Sequence, residues 1–165
     1  MELNQLTIKE AHQKLSNKEI TSLELTKACI ERIKKTDEKV HAFLATDFEN
    51  ALKQAKEVDK KIKKGEKLKM LEGIPCSIKD IIITKGIETT ASSNMLRNYV
   101  PLFDASVIEK LKANGAIILG KNNCDAWAHG SSTENSDSTM VDICSNWLMS
   151  NKGSVGSGMS LMLNR

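Results

Sequence analysis

Apolar residues recur at helical spacing from the N-terminus to Gly65, and polar caps mark where the helices begin. Thr7 followed by Glu10, and Thr21 followed by Glu24, have the spacing of capping boxes, in which the hydroxyl and the carboxylate each satisfy a free backbone N–H. Beyond the second cap Leu25, Cys29 and Ile33 share one helical face, with Leu23 and Ile30 beside them. Val40, Ala42 and Leu44 alternate, which predicts a short strand over residues 40–46. Asp47 then stands as the cap of a third helix, whose Ala51, Ala55, Val58 and Ile62 repeat on one side. Gly65 stops that helix, and the lysines of its last turn suit the negative end of the helix dipole.

The pattern changes at Gly73. Ile74 to Ile78 reads as a strand entered through Pro75, and Ile81-Ile82-Ile83 as another β-branched patch. Asp104 is the expected cap of a helix with Val107, Ile108 and Leu111 facing inward, ended by Gly115. Ala116 to Leu119 follows as an apolar strand of the kind covered on both faces, and Gly120 is expected to close it. Helix, glycine, buried strand and glycine in succession predict an α/β fold, with helices packed around part of a mixed sheet. After Asn135 the chain turns to Ser, Gly and Met without periodicity.

Composition adds bounds rather than identity. The chain has 165 residues, 40% apolar and 27% charged, which fits one domain with a real core and excludes a wholly disordered chain. No apolar run approaches the roughly 18 residues of a membrane-spanning helix, and the first residues lack the pattern of a secretory signal. The expectation is a soluble cytoplasmic protein. The formal charge of +3 is concentrated at Lys60, Lys61, Lys63, Lys64, Lys67 and Lys69. Such a cluster can hold phosphates by counterion release, or can simply be the solvated end of a helix. Cys29, Cys76, Cys124 and Cys144 form no C-x-x-C pair and His12, His41 and His129 do not join them, so zinc-ligand spacing is absent. The cysteines are expected to be small buried hydrophobes.

One residue carries candidate chemistry on its own. Lys79 ends an apolar strand, where burying an ammonium is costly. Such a lysine either snorkels to solvent, pairs with the adjacent Asp80, or is kept neutral by desolvation so that it can act as a base.

The segments around it extend this reading. Gly73-Ile74-Pro75-Cys76-Ser77-Ile78-Lys79-Asp80 is followed by Thr84-Lys85-Gly86-Ile87-Glu88-Thr89-Thr90-Ala91-Ser92-Ser93, then Asp104-Ala105-Ser106-Val107. Gly115-Ala116-Ile117-Ile118-Leu119-Gly120-Lys121-Asn122-Asn123 and Gly130-Ser131-Ser132-Thr133-Glu134-Asn135-Ser136 complete the order. This set closely resembles the amidase signature family over residues 1–136, and within it the glutaminase subunits of tRNA-dependent amidotransferases. The opening helices, with Leu6-Thr7-Ile8 and Ser22-Leu23-Glu24-Leu25, resemble those subunits too.

The resemblance implies a serine amidase that uses a lysine, a cis-serine and a nucleophilic serine. The family lysine carries over onto Lys79 as general base, relaying a proton through the intermediate serine. Gly130, Ser131 and Ser132 fall on a family element that lines the substrate site. The family substrate is glutamine, and the released ammonia passes to partner subunits that amidate tRNA-bound glutamate or aspartate. The resemblance thus implies no cofactor in this chain, with ATP and magnesium used by the partner subunit, tRNA engaged only through the complex, and no membrane.

Two departures bear on activity. The G-G-S-S-G-G-S loop of the family corresponds to Lys152-Gly153-Ser154-Val155-Gly156-Ser157-Gly158, which puts Ser154 on the cis-serine but replaces two glycines and the second serine. A serine- and glycine-rich tail without that loop is the alternative. No T-D-T-G-G-S-type segment, the family's source of nucleophile and oxyanion hole, occurs within residues 1–165. The chain therefore reads as the N-terminal portion of an amidase domain, truncated and expected to be inactive alone: a helical segment 1–72, a motif-bearing segment 73–136 and a divergent tail 137–165. Two other readings stay open: a non-catalytic module docking an amidotransferase partner or RNA, and part of a general small-molecule amidase.

Overall fold

The computed structural model describes residues 2–137. Four helices, α1 (Ile8–Ser16), α2 (Ser22–Val40), α3 (Phe48–Lys63) and α4 (Ser106–Ala113), surround three strands, β1 (Phe43–Thr46), β2 (Pro75–Lys79) and β3 (Ile117–Asn122). The strand order is β1-β3-β2, with β1 antiparallel and β2 parallel to the central β3. The sheet is mixed, as expected.

The alternation of β3 explains the layering. Ile117 and Leu119 pack with Cys29, Ile30, Ile33, Ala51 and Ala55 of α2 and α3 on one face. Ala116 and Ile118 pack with Cys76, Ile78 and Ile108, the last from α4, on the other. An unbroken apolar run is what a strand covered on both faces requires. A third cluster, built from Leu6, Ala11, Leu15, Leu25, Val58, Ile62, Leu68 and Ile74, closes α1 onto α2 and α3.

Both capping boxes form. Thr7 and Thr21 accept the Glu10 and Glu24 N–H groups, and the glutamates accept the cap N–H at 2.8 Å each. The N-terminus of α2 gains a further anion, because the Asp59 carboxylate of α3 accepts the N–H groups of Ser22 and Leu23. Ser22 in turn donates its hydroxyl to the Gly73 carbonyl, so the start of α2 also positions the approach to β2. Gly65 and Gly115 both adopt positive φ where they end helices.

Several expectations need correction. Val40 ends α2 and does not begin a strand; His41 turns left-handed there, and Asp37 accepts the Ala42 and Phe43 N–H groups, so β1 starts only at Phe43. Ile81-Ile82-Ile83 is no strand: the Ile82 N–H turns back onto the Lys79 carbonyl. Asp47 takes the N-cap position of α3 as expected, with its carbonyl accepting the Ala51 N–H, but neither its side chain nor that of Asp104 bonds to a helical N–H. Ala105 takes the N-cap position of α4, while Asp104 accepts the Lys85 N–H and pairs with Lys112 at 2.7 Å. Val107 points outward, and Ile108 is the fully buried residue of α4.

Gly120 does not close β3 but lies within it. The ladder with β1 slips between Phe43 and Ala45, and a Cβ on Gly120 would stand 2.2 Å from the Ala45 carbonyl oxygen, at a φ of +157°. Nothing but backbone is there to yield. Gly120→Ala is expected to destabilise the chain by about 3 kcal/mol or more, by prising β1 from β3. Urea unfolding midpoints at unchanged m-value check this.

Candidate active site at the C-terminal end of β2

Lys79 is the last residue of β2, opposite Asn122 of β3, and is half-buried. Apolar packing of Cys76 and Ile78 carries the strand to this point; the next residue, Asp80, leaves it while bonding its N–H to the Asn122 carbonyl at 2.9 Å. Of the two structural roles open to Lys79, pairing with Asp80 is not the one found. The partner of Asp80 is Lys121.

Lys121 is the feature that the sequence pattern does not reveal. With Gly120 read as the end of the strand, Lys121 belongs to a loop; instead β3 runs on to Asn122, and Lys121 and Asp80 side chains are both wholly buried, Nζ to Oδ1 3.6 Å apart. Lys121 Nζ donates to the Ile82 carbonyl at 2.8 Å and to Thr89 Oγ1 at 2.6 Å. Burial pushes the Lys121 ammonium below its ordinary pKa, against the opposing pull of the Asp80 carboxylate. A signal was available: a buried cation demands a counter-ion, and Asp80 directly follows the parallel strand.

Asp80 organises the segment that follows. Its Oδ2 accepts the Thr90 N–H at 3.0 Å, the Thr90 hydroxyl at 2.6 Å and the Ser92 N–H at 3.1 Å. Ser92 Oγ in turn accepts the Cys124 N–H at 2.9 Å. Cys29, Cys76 and Cys124 are all buried free thiols, and burial pushes Cys29 and Cys76 up to about 12, which removes them as nucleophiles. Cys124 is raised by burial too, with the Ser92 hydroxyl opposing.

On that loop Gly130 and Ser131 are exposed and Ser132 is half-buried. Asp125 holds the loop: its Oδ1 accepts the Thr133 N–H at 2.9 Å, and a Cβ on Gly130 would stand 2.2 Å from that same oxygen. Asn135 braces it by accepting the Ala126 N–H and donating to the His129 carbonyl. Ser136 donates to Asn123 Oδ1 at 2.7 Å. Beside these loops lies a polar cleft of about 270 Å³, with Asp80, Thr90, Ser93, Asn123 and Asp137 in its wall. Ser154 and Cys144 lie outside the described residues.

The lysine cluster has a structural occupation. Lys60, Lys61 and Lys63 form the last turn of α3; Lys60 pairs with Glu57, Lys61 with Glu72, and Lys69 Nζ donates to the Ala113 carbonyl at the end of α4. Cations at helix C-termini are stabilising without any anionic ligand. Among the described residues no cluster of His, Cys, Asp and Glu could hold a metal ion, and no helix is long and apolar enough to cross a membrane.

The motif segments thus converge on one end of the sheet, and the match to known proteins spans them. The Amidase family model matches residues 24–142. The chain belongs to the amidase family. The glutamyl-tRNA(Gln) amidotransferase A-subunit of Thermoanaerobacter pseudethanolicus is 52% identical over 136 residues, covering 82% of this chain and 28% of that protein. Its counterpart from Dehalococcoides mccartyi strain CBDB1 is 50% identical over 135 residues, with the same coverage. The crystal structure of the glutamyl-tRNA(Gln) amidotransferase A-subunit from Thermotoga maritima superposes with a TM-score of 0.62 at 35% identity, over 82% of this chain and 26% of that one. The chain spans about 28% of the length of the curated relatives it matches. What it shares with these amidases is the segment that builds the lysine-bearing strand and its flanking loops.

Proposed function

We propose that the chain carries the general-base portion of a glutamine-hydrolysing subunit of a tRNA-dependent amidotransferase, with Lys79 as the base. The observation that supports this best is the placement of Lys79: it ends the apolar strand β2, half-buried, opposite Asn122 of β3 and next in the chain to Asp80 of the buried ion pair. In this reading a nucleophilic serine attacks the glutamine amide carbon, and its proton passes through Ser154 to Lys79. The proton returns to the leaving nitrogen as the C–N bond breaks. Water then hydrolyses the acyl-serine to glutamate by the same relay. The ammonia goes to partner subunits, which use ATP and magnesium to activate tRNA-bound glutamate or aspartate.

Residues 1–165 contain no T-D-T-G-G-S-type segment, so they supply neither that nucleophile nor the oxyanion hole. Oxyanion stabilisation is commonly the largest single contribution to acyl-transfer catalysis. The purified 165-residue chain is therefore expected to release no ammonia from glutamine above background in a coupled assay. Turnover by the chain alone that disappears in Lys79→Ala would contradict this division of labour. The reading itself is tested by grafting: residues 2–137 replace the matching segment of the Thermoanaerobacter protein, and the chimera should hydrolyse glutamine in a Lys79-dependent way.

A further inference from the structure

Non-glycine residues with left-handed backbone concentrate beside the end of β2. Of the eight such residues among those described, Ala91, Ser92, Trp127, Ala128 and Thr133 belong to the two loops that follow β2 and β3. Left-handed backbone is costly for a residue with a Cβ, so consecutive pairs at 91–92 and 127–128 persist only where other bonds impose them. The two pairs touch: the Trp127 N–H donates to the Ala91 carbonyl at 3.0 Å.

Four of the bonds that hold the first pair come from one carboxylate-bearing residue, and the Asp137 N–H adds another to the Ser92 carbonyl at 3.0 Å. Asp80 Oδ2 accepts the N–H groups of Thr90 and Ser92, on either side of Ala91, together with the Thr90 hydroxyl, and the Asp80 carbonyl accepts the Ala91 N–H. The other oxygen, Oδ1, accepts no hydrogen bond and faces Lys121. Lys121 meanwhile ties down Ile82 and Thr89, the two ends of the segment between Lys79 and the strained turn. A buried carboxylate that only stabilised the core would be replaceable by apolar packing; this one is aimed at a strained turn, and its cation at the same turn's approach.

We propose that Asp80, with Lys121 as its buried counter-ion, is a positioning residue that clamps the left-handed Ala91–Ser92 turn and, through it, the 124–133 loop against the strand end bearing Lys79. The clamp acts by geometry. Ser92 passes the constraint to Cys124 through its hydroxyl, and Ala91 passes it to Trp127 through its carbonyl. The bearing on catalysis rests on the amidotransferase reading, whereas the clamp itself does not.

Trp127 reports the clamp directly. The chain has two tryptophans, so Trp147→Phe leaves Trp127 as the sole tryptophan, excited at the red edge where Tyr99 does not absorb. In that background Asp80→Ala should red-shift Trp127 emission. Acrylamide quenching should rise about twofold, as a side chain 42% exposed becomes fully exposed, with helical circular dichroism retained. Ala91→Gly added to Asp80→Ala should restore part of the protection, because glycine removes the left-handed cost. Asp80→Asn with Lys121→Met, which keeps a carbonyl acceptor and leaves no unpaired charge, should quench like the parent. If Asp80→Ala does not fold, Thr90→Val, which deletes only the 2.6 Å bond, should shift quenching the same way by less. Parent-like quenching in a folded Asp80→Ala, or in Thr90→Val where Asp80→Ala is lost, overturns the clamp. In the active chimera, Asp80→Ala should lower kcat about 100-fold while moving KM far less, as expected of displaced catalytic geometry. An unchanged kcat overturns the link to catalysis. A chimera inactive with Asp80 in place would instead remove the amidotransferase reading and leave the clamp to be judged by fluorescence.

Discussion

Lys121→Ala should destabilise the chain by about 3–5 kcal/mol, the range for breaking a buried ion pair from one side. Lys121 and Asp80 have no solvent-exposed side-chain surface, and Asp80 Oδ1 has no hydrogen-bond donor to turn to once the ammonium is gone. The substitution also strips donors from the Ile82 carbonyl and Thr89 Oγ1 and leaves a cavity where the aliphatic stem had packed. A loss of this size is a large fraction of the total stability of a domain, about 5–15 kcal/mol. The pair as a whole is a different matter: Asp80→Asn combined with Lys121→Met removes both charges and should lie within about 1–2 kcal/mol of the parent. Urea denaturation of the parent, the single and the double variant gives the comparison. A Lys121→Ala loss under about 1 kcal/mol, the scale of an exposed pair, would mean that the pair is solvated in ways its burial does not allow.

The same residue marks where sequence reading stops being sufficient. Local signals are legible because their physics is local. A hydroxyl three residues before a carboxylate makes a capping box whatever surrounds it, and Thr7 and Thr21 both do. Ala51, Ala55, Val58 and Ile62 are buried because their spacing leaves a helix no other apolar face. The strand at Ala116–Leu119 is legible for a related reason, since only cover on both faces accounts for an unbroken apolar run. Asp104 misleads because a suitable residue before a helix can be taken by longer-range partners, here Lys112 and the Lys85 N–H. Ile81-Ile82-Ile83 has strand composition, but the turn from Lys79 to Ile82 is set by Lys121, which lies 39 residues away from Ile82 in the chain. Gly120 reads as a strand end because glycine usually punctuates; here it admits the β1 backbone, a tertiary demand that no local pattern records.

Lys79→Ala is the second large expected effect, and it falls on activity. General-base transfer contributes about 10²–10⁴-fold to rate. A relay that ends on a missing base also leaves the nucleophile unactivated, so the loss should sit at the upper end of that range and should appear in kcat rather than KM. Stability should scarcely change, because Lys79 is half-buried and forms no ion pair among the described residues, in contrast to its neighbour Asp80. The contrast between Lys79 and Lys121 is informative in itself. One lysine lies partly open at the strand end, and the other is locked into the core. Removing the first should cost rate, and removing the second should cost fold. Lys79→Arg should not rescue activity, because guanidinium stays protonated and cannot accept the proton.

The most direct measurement is therefore glutamine hydrolysis by the chimera in which residues 2–137 of this chain replace their counterpart in the Thermoanaerobacter pseudethanolicus protein, 52% identical to it. Ammonia release should be retained by the chimera and reduced about 10³–10⁴-fold in its folded Lys79→Ala form. A folded chimera that releases no ammonia, or one whose turnover survives Lys79→Ala, would contradict the assignment of Lys79 as the base.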